Sequence, residues 1–387
     1  MSWDGGPAYW NQWASTKPWT NPAFFPIGVW YESVTQQSDV DLDKGAGLNT
    51  YFELTSDSDM SLIRGAGMWA LPSKPITGYG AETVGWLLTD EADLWGHEGS
   101  DAWTGKFPGQ GEVCNPPVDS GGLCGYTVLD TLRKRLPQDG RPHYQNLGFG
   151  LDTYMVDDKA AKFLDYSELA SIDRYWYTDD GICTNAGINV PPSQCHLAAS
   201  YGASVDRMRY LESLDGRHAP VFGFVEDGVP FYQFTTQIKP EQLAGAVMSE
   251  LIHEARGIIY FNHDFGGPCI SQHVLRDLCG AQIRPMVTTM NQRITELAPV
   301  LNTQSYKWTF NSSMDTMLKQ GPDGSYYVFA MVGRGKPTGT VTLTLPPGLT
   351  GAKADVLYEN RNVPIKNGTI TDSFAAEYTC HIYRITP

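Results

Sequence analysis

Two short apolar runs, about 135 residues apart, both end in carboxylates. The first reads Val84-Gly85-Trp86-Leu87-Leu88-Thr89-Asp90-Glu91 and the second Pro220-Val221-Phe222-Gly223-Phe224-Val225-Glu226-Asp227-Gly228. An unbroken apolar run that stops at acids and turn residues is the pattern of a buried parallel strand opening into a loop. Carboxylates at two such strand ends can be brought face to face over the mouth of a barrel. Two facing carboxyl groups can protonate a leaving oxygen and attack, or activate water at, the carbon it leaves, which is what glycosidic bond cleavage requires.

The elements that must position them recur along the chain. Strand-like runs lie at 25–31, 47–54, 67–72, 84–91, 144–150, 170–177, 220–228 and 257–264. Helical spacing separates several of them. Pro240 opens a segment in which Leu243, Val247 and Leu251 recur four apart, and Pro285 opens one carrying Met290, Ile294, Leu297 and Leu301 on one face. Eight strands with helical spacers predict an α/β fold, a (β/α)8 TIM barrel over 1–302 with an N-terminal extension. Beyond 302 the character changes. Val341, Leu343 and Leu345 alternate with threonines, and Gly321-Pro322-Asp323-Gly324 and Pro346-Pro347-Gly348 read as turns. Residues 303–387 are expected to form a small C-terminal antiparallel β-sandwich.

Composition narrows the chemistry. A net charge of −15 argues against nucleic acid as a partner. The 11 tryptophans and 20 tyrosines suit either a large aromatic core or stacking on the C–H faces of sugars. No apolar run of 18 residues is present, so no membrane span is expected. The seven cysteines fall as Cys114/Cys124, Cys183/Cys195 and Cys269/Cys279 with Cys380 left over, a spacing that predicts three loop disulfides and matches no zinc pattern. Oxidised pairs imply an extracellular or surface-exposed protein. The N-terminus shows no secretory signal, and carriage on a virus particle is an export route that fits both readings. No phosphate loop, nucleophile elbow or metal-ligand spacing stands out, and no cofactor and no metal are expected.

The run Trp86 to Glu91 and the run Phe224-Val225-Glu226, in fourth and seventh place among eight strands, resemble the retaining (β/α)8 glycoside hydrolases of clan A. That resemblance implies that Glu91 is the acid/base and Glu226 the nucleophile. It also implies that a tyrosine at the end of the sixth strand, Tyr175 or Tyr177, hydrogen-bonds the nucleophile. Asp90 departs from the pattern, because the clan has asparagine there to contact a sugar hydroxyl. An aspartate would instead raise the pKa of Glu91. Trp30, Glu53 and Asn262 are further candidates for binding hydroxyls, and Trp95 and Trp103 for stacking. The leading expectation is a retaining hydrolase of an extracellular or cell-wall polysaccharide or oligosaccharide. The alternatives are a carbohydrate-binding barrel without catalysis and an inverting enzyme with carboxyls ~6.5–9.5 Å apart.

Overall fold

The computed structural model describes residues 4–184 and 190–386. Eight parallel strands form the barrel: β1 Ile27–Glu32, β2 Thr50–Leu54, β3 Trp69–Leu71, β4 Trp86–Asp90, β5 His143–Leu147, β6 Leu169–Ile172, β7 Val221–Glu226 and β8 Ile258–Phe261. Their spatial order is β3-β2-β1-β8-β7-β6-β5-β4. The ring closes between β3 and β4 through Ala70 N–H to Glu82 O at 2.8 Å, Val84 N–H to Ala70 O at 3.0 Å and Leu87 N–H to Pro72 O at 3.1 Å.

Period-two alternation explains why these strands read as continuous apolar runs: both faces are buried. Trp30, Phe52, Leu87, Tyr144, Phe222 and Phe224 fill the bore. Val29, Tyr51, Trp86, Leu88, Val225 and Tyr260 pack outward beneath the helices. The N-terminal extension closes the bottom of the bore. Trp10 stacks on Phe222 with centroids 6.3 Å apart, and the Tyr9 hydroxyl donates to Glu168 O just before β6.

The helices that matter for the site are α1 Ala198–Ser213, between β6 and β7, α2 Pro240–Ile252, after β7, and α3 Arg284–Leu301, after β8. The last two start at the positions the prolines mark. Proline's missing N–H costs nothing in a helix's first turn.

The sandwich follows α3. Its larger sheet has β9 Ser305–Tyr306, β10 Met314–Gln320, β11 Tyr326–Val332, β13 Lys353–Val356, β14 Arg361–Pro364 and β16 Cys380–Ile385; β12 Gly339–Thr344 and β15 Thr369–Phe374 form the smaller one. Leu343 pairs with Ile370, and both meet Val328, Phe374 and Tyr383 in the core between the sheets. Across the junction, buried Lys319 and Arg256 both pair with Glu254, at 3.2 and 3.1 Å, and His253 lies between Asp206 and Asp315. The three expected cystine pairs are present, with Cα–Cα distances of 5.5, 6.1 and 5.5 Å, and Cys380 is a free thiol. All three pairs lie in loops that leave the C-terminal ends of strands.

Candidate active site

Two cavities at the C-terminal mouth of the barrel meet at Glu91, which lines both. The first, of 290 Å³, is bounded by Phe149, Asp173, Arg174, Tyr175, Asp179 and Phe231. The second, of 470 Å³, is bounded by Trp30, Tyr31, Glu53, Asp90, Trp95 and Phe107. Aromatic rings and carboxyls dominate both. The second has three carboxyl groups, Glu53, Asp90 and Glu91, and no lysine or arginine among its lining residues.

Three strand ends around the second cavity take an unusual turn. Tyr31 in β1, Glu53 in β2 and Glu91 after β4 adopt φ values of 52°, 71° and 50°. This left-handed region is costly for residues with a Cβ and concentrates at functional sites. At Glu91 (φ 50°, ψ 36°) the kink ends the strand and starts a short helical turn, which swings the side chain toward the cavity junction.

The Glu91 carboxyl neighbours Asp173, the residue that follows β6, on the wall of the first cavity. Two buried carboxyl groups side by side disfavour ionising together. Desolvation, then the charges of Asp90 and Asp93, hold Glu91 well above the ordinary range, against the pull of the Asp173 hydrogen bond and the Arg174 charge. Desolvation and the charges of Glu91, Asp90 and Asp93 do the same to Asp173, opposed by the Tyr175 hydroxyl, which donates to it at 3.1 Å. Arg174 is committed to Asp152 at 3.2 Å and stacks on Trp176 at 4.8 Å. It therefore only partly offsets this acidity.

Asp90 is fixed from the barrel wall. The Asn146 amide donates to it at 2.8 Å; Asn146 in turn accepts from Ser171 at 2.5 Å, and Ser171 contacts the Tyr144 hydroxyl at 2.6 Å. Its pKa is pushed up to about 6 by desolvation, with a contribution from Glu53 and against the Asn146 bond. Asp90 nevertheless has an exposed face, so the rise comes from protein crowding its other sides and not from enclosure. Asp93 is pushed up to about 7, chiefly by burial. Glu53 is likewise raised by burial and accepts from the Leu54 and Ser73 N–H groups at 2.8 and 3.1 Å.

Glu226 is placed differently from the expectation. It is fully buried and lines neither cavity. Its carboxylate accepts from the Tyr201 hydroxyl at 2.7 and 2.8 Å and from the Thr178 hydroxyl at 3.0 Å. Burial pushes its pKa up to about 7, against those bonds. The tyrosine on Glu226 is thus Tyr201 of α1, not Tyr175 or Tyr177. Tyr175 serves Asp173, and the Tyr177 hydroxyl donates to Glu377 of the sandwich at 2.5 Å. The Glu226 carboxylate is occupied instead by Tyr201 of the helix that follows β6 and by Thr178. Asn262 is also withdrawn from the cleft. It is completely buried, donating to Glu32 at 2.6 Å and accepting from Leu275 N–H at 2.8 Å. Trp30, Glu53 and Asp90 do face the second cavity. Asp173 was missed, although Leu169-Ala170-Ser171-Ile172-Asp173 shows the same apolar-run-then-acid signal that marked Glu91.

No protein-family model and no curated protein matches the chain. Solved structures do. A family 39 glycoside hydrolase from the gut symbiont Bacteroides cellulosilyticus WH2 matches with a TM-score of 0.51 at 13% identity, over 94% of this chain and 82% of that one. A family 27 β-L-arabinopyranosidase from Geobacillus stearothermophilus matches with a TM-score of 0.51 at 10% identity, over 98% of both chains. The barrel-plus-sandwich architecture is therefore one that glycoside hydrolases use, and the resemblance seen in the strand order holds at the level of fold.

Proposed function

We propose that this chain is a retaining glycoside hydrolase whose carboxyl pair is Glu91 and Asp173. The observation that carries the reading is that both carboxyls line the first cavity beside each other, with Glu91 also lining the second, aromatic-lined cavity. Retention calls for carboxyls ~5–5.5 Å apart and inversion for ~6.5–9.5 Å, so neighbouring carboxyls with no wide gap between them are the arrangement expected of double displacement.

The roles follow from the surroundings. Asp173 accepts from the Tyr175 hydroxyl, a bond that favours its ionised form, so it acts as the nucleophile. Glu91 stands at the end of β4, where the hydrolases that the strand order resembles carry their acid, and burial with the charges of Asp90 and Asp93 raises its pKa, so it is assigned the acid that protonates the leaving oxygen. In the second half-reaction Glu91, now ionised, takes a proton from water as that water displaces Asp173 from the anomeric carbon. Trp30, Tyr31, Trp95 and Phe107 offer ring faces to a sugar in the second cavity. Fold likeness to other hydrolases supports the reaction class. The three cystine pairs support an oxidising, extracellular setting, and a cell-wall glycan is a substrate that fits it.

The test is a glycan screen with products followed by proton NMR, repeated with Asp173→Asn and Glu226→Gln. Retained anomeric configuration, lost in Asp173→Asn and kept in Glu226→Gln, supports the reading. The opposite pattern would restore Glu91 and Glu226 as the pair. Binding without turnover in the wild type would make the chain a carbohydrate-binding barrel.

A further inference from the structure

The wall of the first cavity that carries Asp173, Arg174 and Tyr175 is held from behind by the sandwich. Two of its residues reach across. Glu377 accepts from the Tyr177 hydroxyl at 2.5 Å and from the Ala198 N–H, at the start of α1, at 2.8 Å. One carboxylate thereby ties the segment leaving β6 to the first turn of the next helix, where a negative charge is also favoured by the helix dipole. Arg334, in the turn after β11, lies over the Trp176 ring at 4.7 Å and donates to Gln194 O at 3.2 Å. Arg174 stacks on the same indole at 4.8 Å. Trp176 is thus gripped by two guanidinium groups, one from the barrel and one from the sandwich, while its indole N–H donates to Ser204 of α1 at 3.1 Å. The turn has no slack. Gly335 sits at φ +67°, and a Cβ there would come within 2.9 Å of Gln194 Cγ.

We propose that Arg334 and Glu377 are positioning residues for the Glu91–Asp173 pair, so that the sandwich is a working part of the hydrolase site and not an appendage. The inference rests on the hydrolase reading above. Its mechanism is specific. Arg174 is the cation beside Glu91, and its place is set by Asp152, by Phe149 at 5.6 Å and by a Trp176 ring that Arg334 also contacts, at 4.7 Å. Without Arg334 the indole can rotate, and Arg174 loses the like charge that presses it toward the cleft. Arg174 then withdraws and Glu91 holds its proton to higher pH. Glu377 acts one step along, by fixing the backbone that leaves β6 after Asp173, Arg174 and Tyr175.

The experiment uses the full chain, with Arg334→Ala, Arg334→Lys and Glu377→Gln, on the 4-nitrophenyl glycoside that the wild type cleaves fastest. Misplacement by ~1 Å at a distance can cost up to ~100-fold, so kcat is expected to fall about 10- to 100-fold in Arg334→Ala, with KM changing less. The alkaline limb of its kcat/KM profile should move to higher pH, and Arg334→Lys, which keeps a cation on the indole, should return that limb toward the wild type. Glu377→Gln should lower kcat and speed amide hydrogen exchange in residues 174–184. Wild-type kcat and pH profile in both Arg334→Ala and Glu377→Gln would overturn the proposal. So would a loss that only tracks a smaller folded fraction with the pH profile unmoved. If the wild type cleaves no glycoside, the hydrolase reading fails on its own, and unchanged exchange in 174–184 would then sink the positioning claim as well.

Discussion

Glu91 combines two costs at one position, a left-handed backbone and a buried carboxyl crowded by Asp90 and Asp93. If both are held for function, replacing the residue should raise stability as it destroys turnover. Three substitutions separate the contributions. Glu91→Gln keeps the backbone strain and removes the charge, and its amide can donate to the neighbouring Asp173. Its stability should lie within about 1 kcal/mol of the wild type, on the favourable side. Glu91→Ala keeps the strain and loses that bond. Glu91→Gly relieves the strain, because glycine enters the left-handed region without a Cβ penalty, a gain over alanine of about 1 kcal/mol. For a barrel of this size that gap is about 2 °C in melting temperature. All three should lose about 10²–10⁴-fold in kcat, the range for removing a general acid, or ~3–5 kcal/mol of transition-state stabilisation. Urea midpoints and initial rates on one preparation test both halves. Glycine no more stable than alanine would show that the kink at Glu91 stores nothing. A Glu91→Gln protein that is destabilised yet fully active would make Glu91 a structural carboxylate and undo the site.

Other outcomes follow from the same structure. Asp173→Asn should cut kcat at least about 10³-fold and Glu226→Gln far less, read from the same initial rates, since only Asp173 lines the first cavity beside Glu91. Burial works against a charged His253, but hydrogen bonds to Asp206 and Asp315 raise it to about 10. Its folded pKa thus lies above the unfolded value, so its stabilisation is complete below pH ~6.5 and fades as pH climbs through about 10. The difference in unfolding free energy between wild type and His253→Gln should be on the order of 2–4 kcal/mol at pH 6 and should vanish above pH 10; urea titrations across that range measure it. The second cavity holds three carboxyls and no cation, so calorimetry should find neutral oligosaccharides binding tighter than their uronic acid counterparts, with a gap that narrows as salt is added.

The fold was legible because its strands are buried on both faces. Val84 to Glu91 and Val221 to Glu226 read as unbroken apolar runs, and prolines at 240 and 285 mark helix starts that the backbone chemistry requires. The cystine pairs were legible because each partner lies a short loop away. Glu91, Asp90, Trp30 and Glu53 were found because a strand end fixes both the residue and its direction. What the sequence hid depends on distant segments meeting. Tyr201 sits in a helix whose spacing says nothing of its hydroxyl reaching Glu226. The contacts of Arg334 and Glu377 arise only once the sandwich has docked against the barrel. Asp173 was open to the same logic as Glu91 and was passed over for the tyrosines two and four residues beyond it.

The three cystine pairs all sit at the mouth, in the segments after β4, β6 and β8. Among the described residues the bore and its tryptophan-sealed floor carry no cystine and rely on packing and hydrogen bonds. A reducing medium should therefore act on the rim before it acts on the barrel. Dithiothreitol should slow substrate turnover while far-ultraviolet circular dichroism stays unchanged. A chain tuned this way would fall silent in a thiol-rich interior without unfolding, and regain its edge once outside.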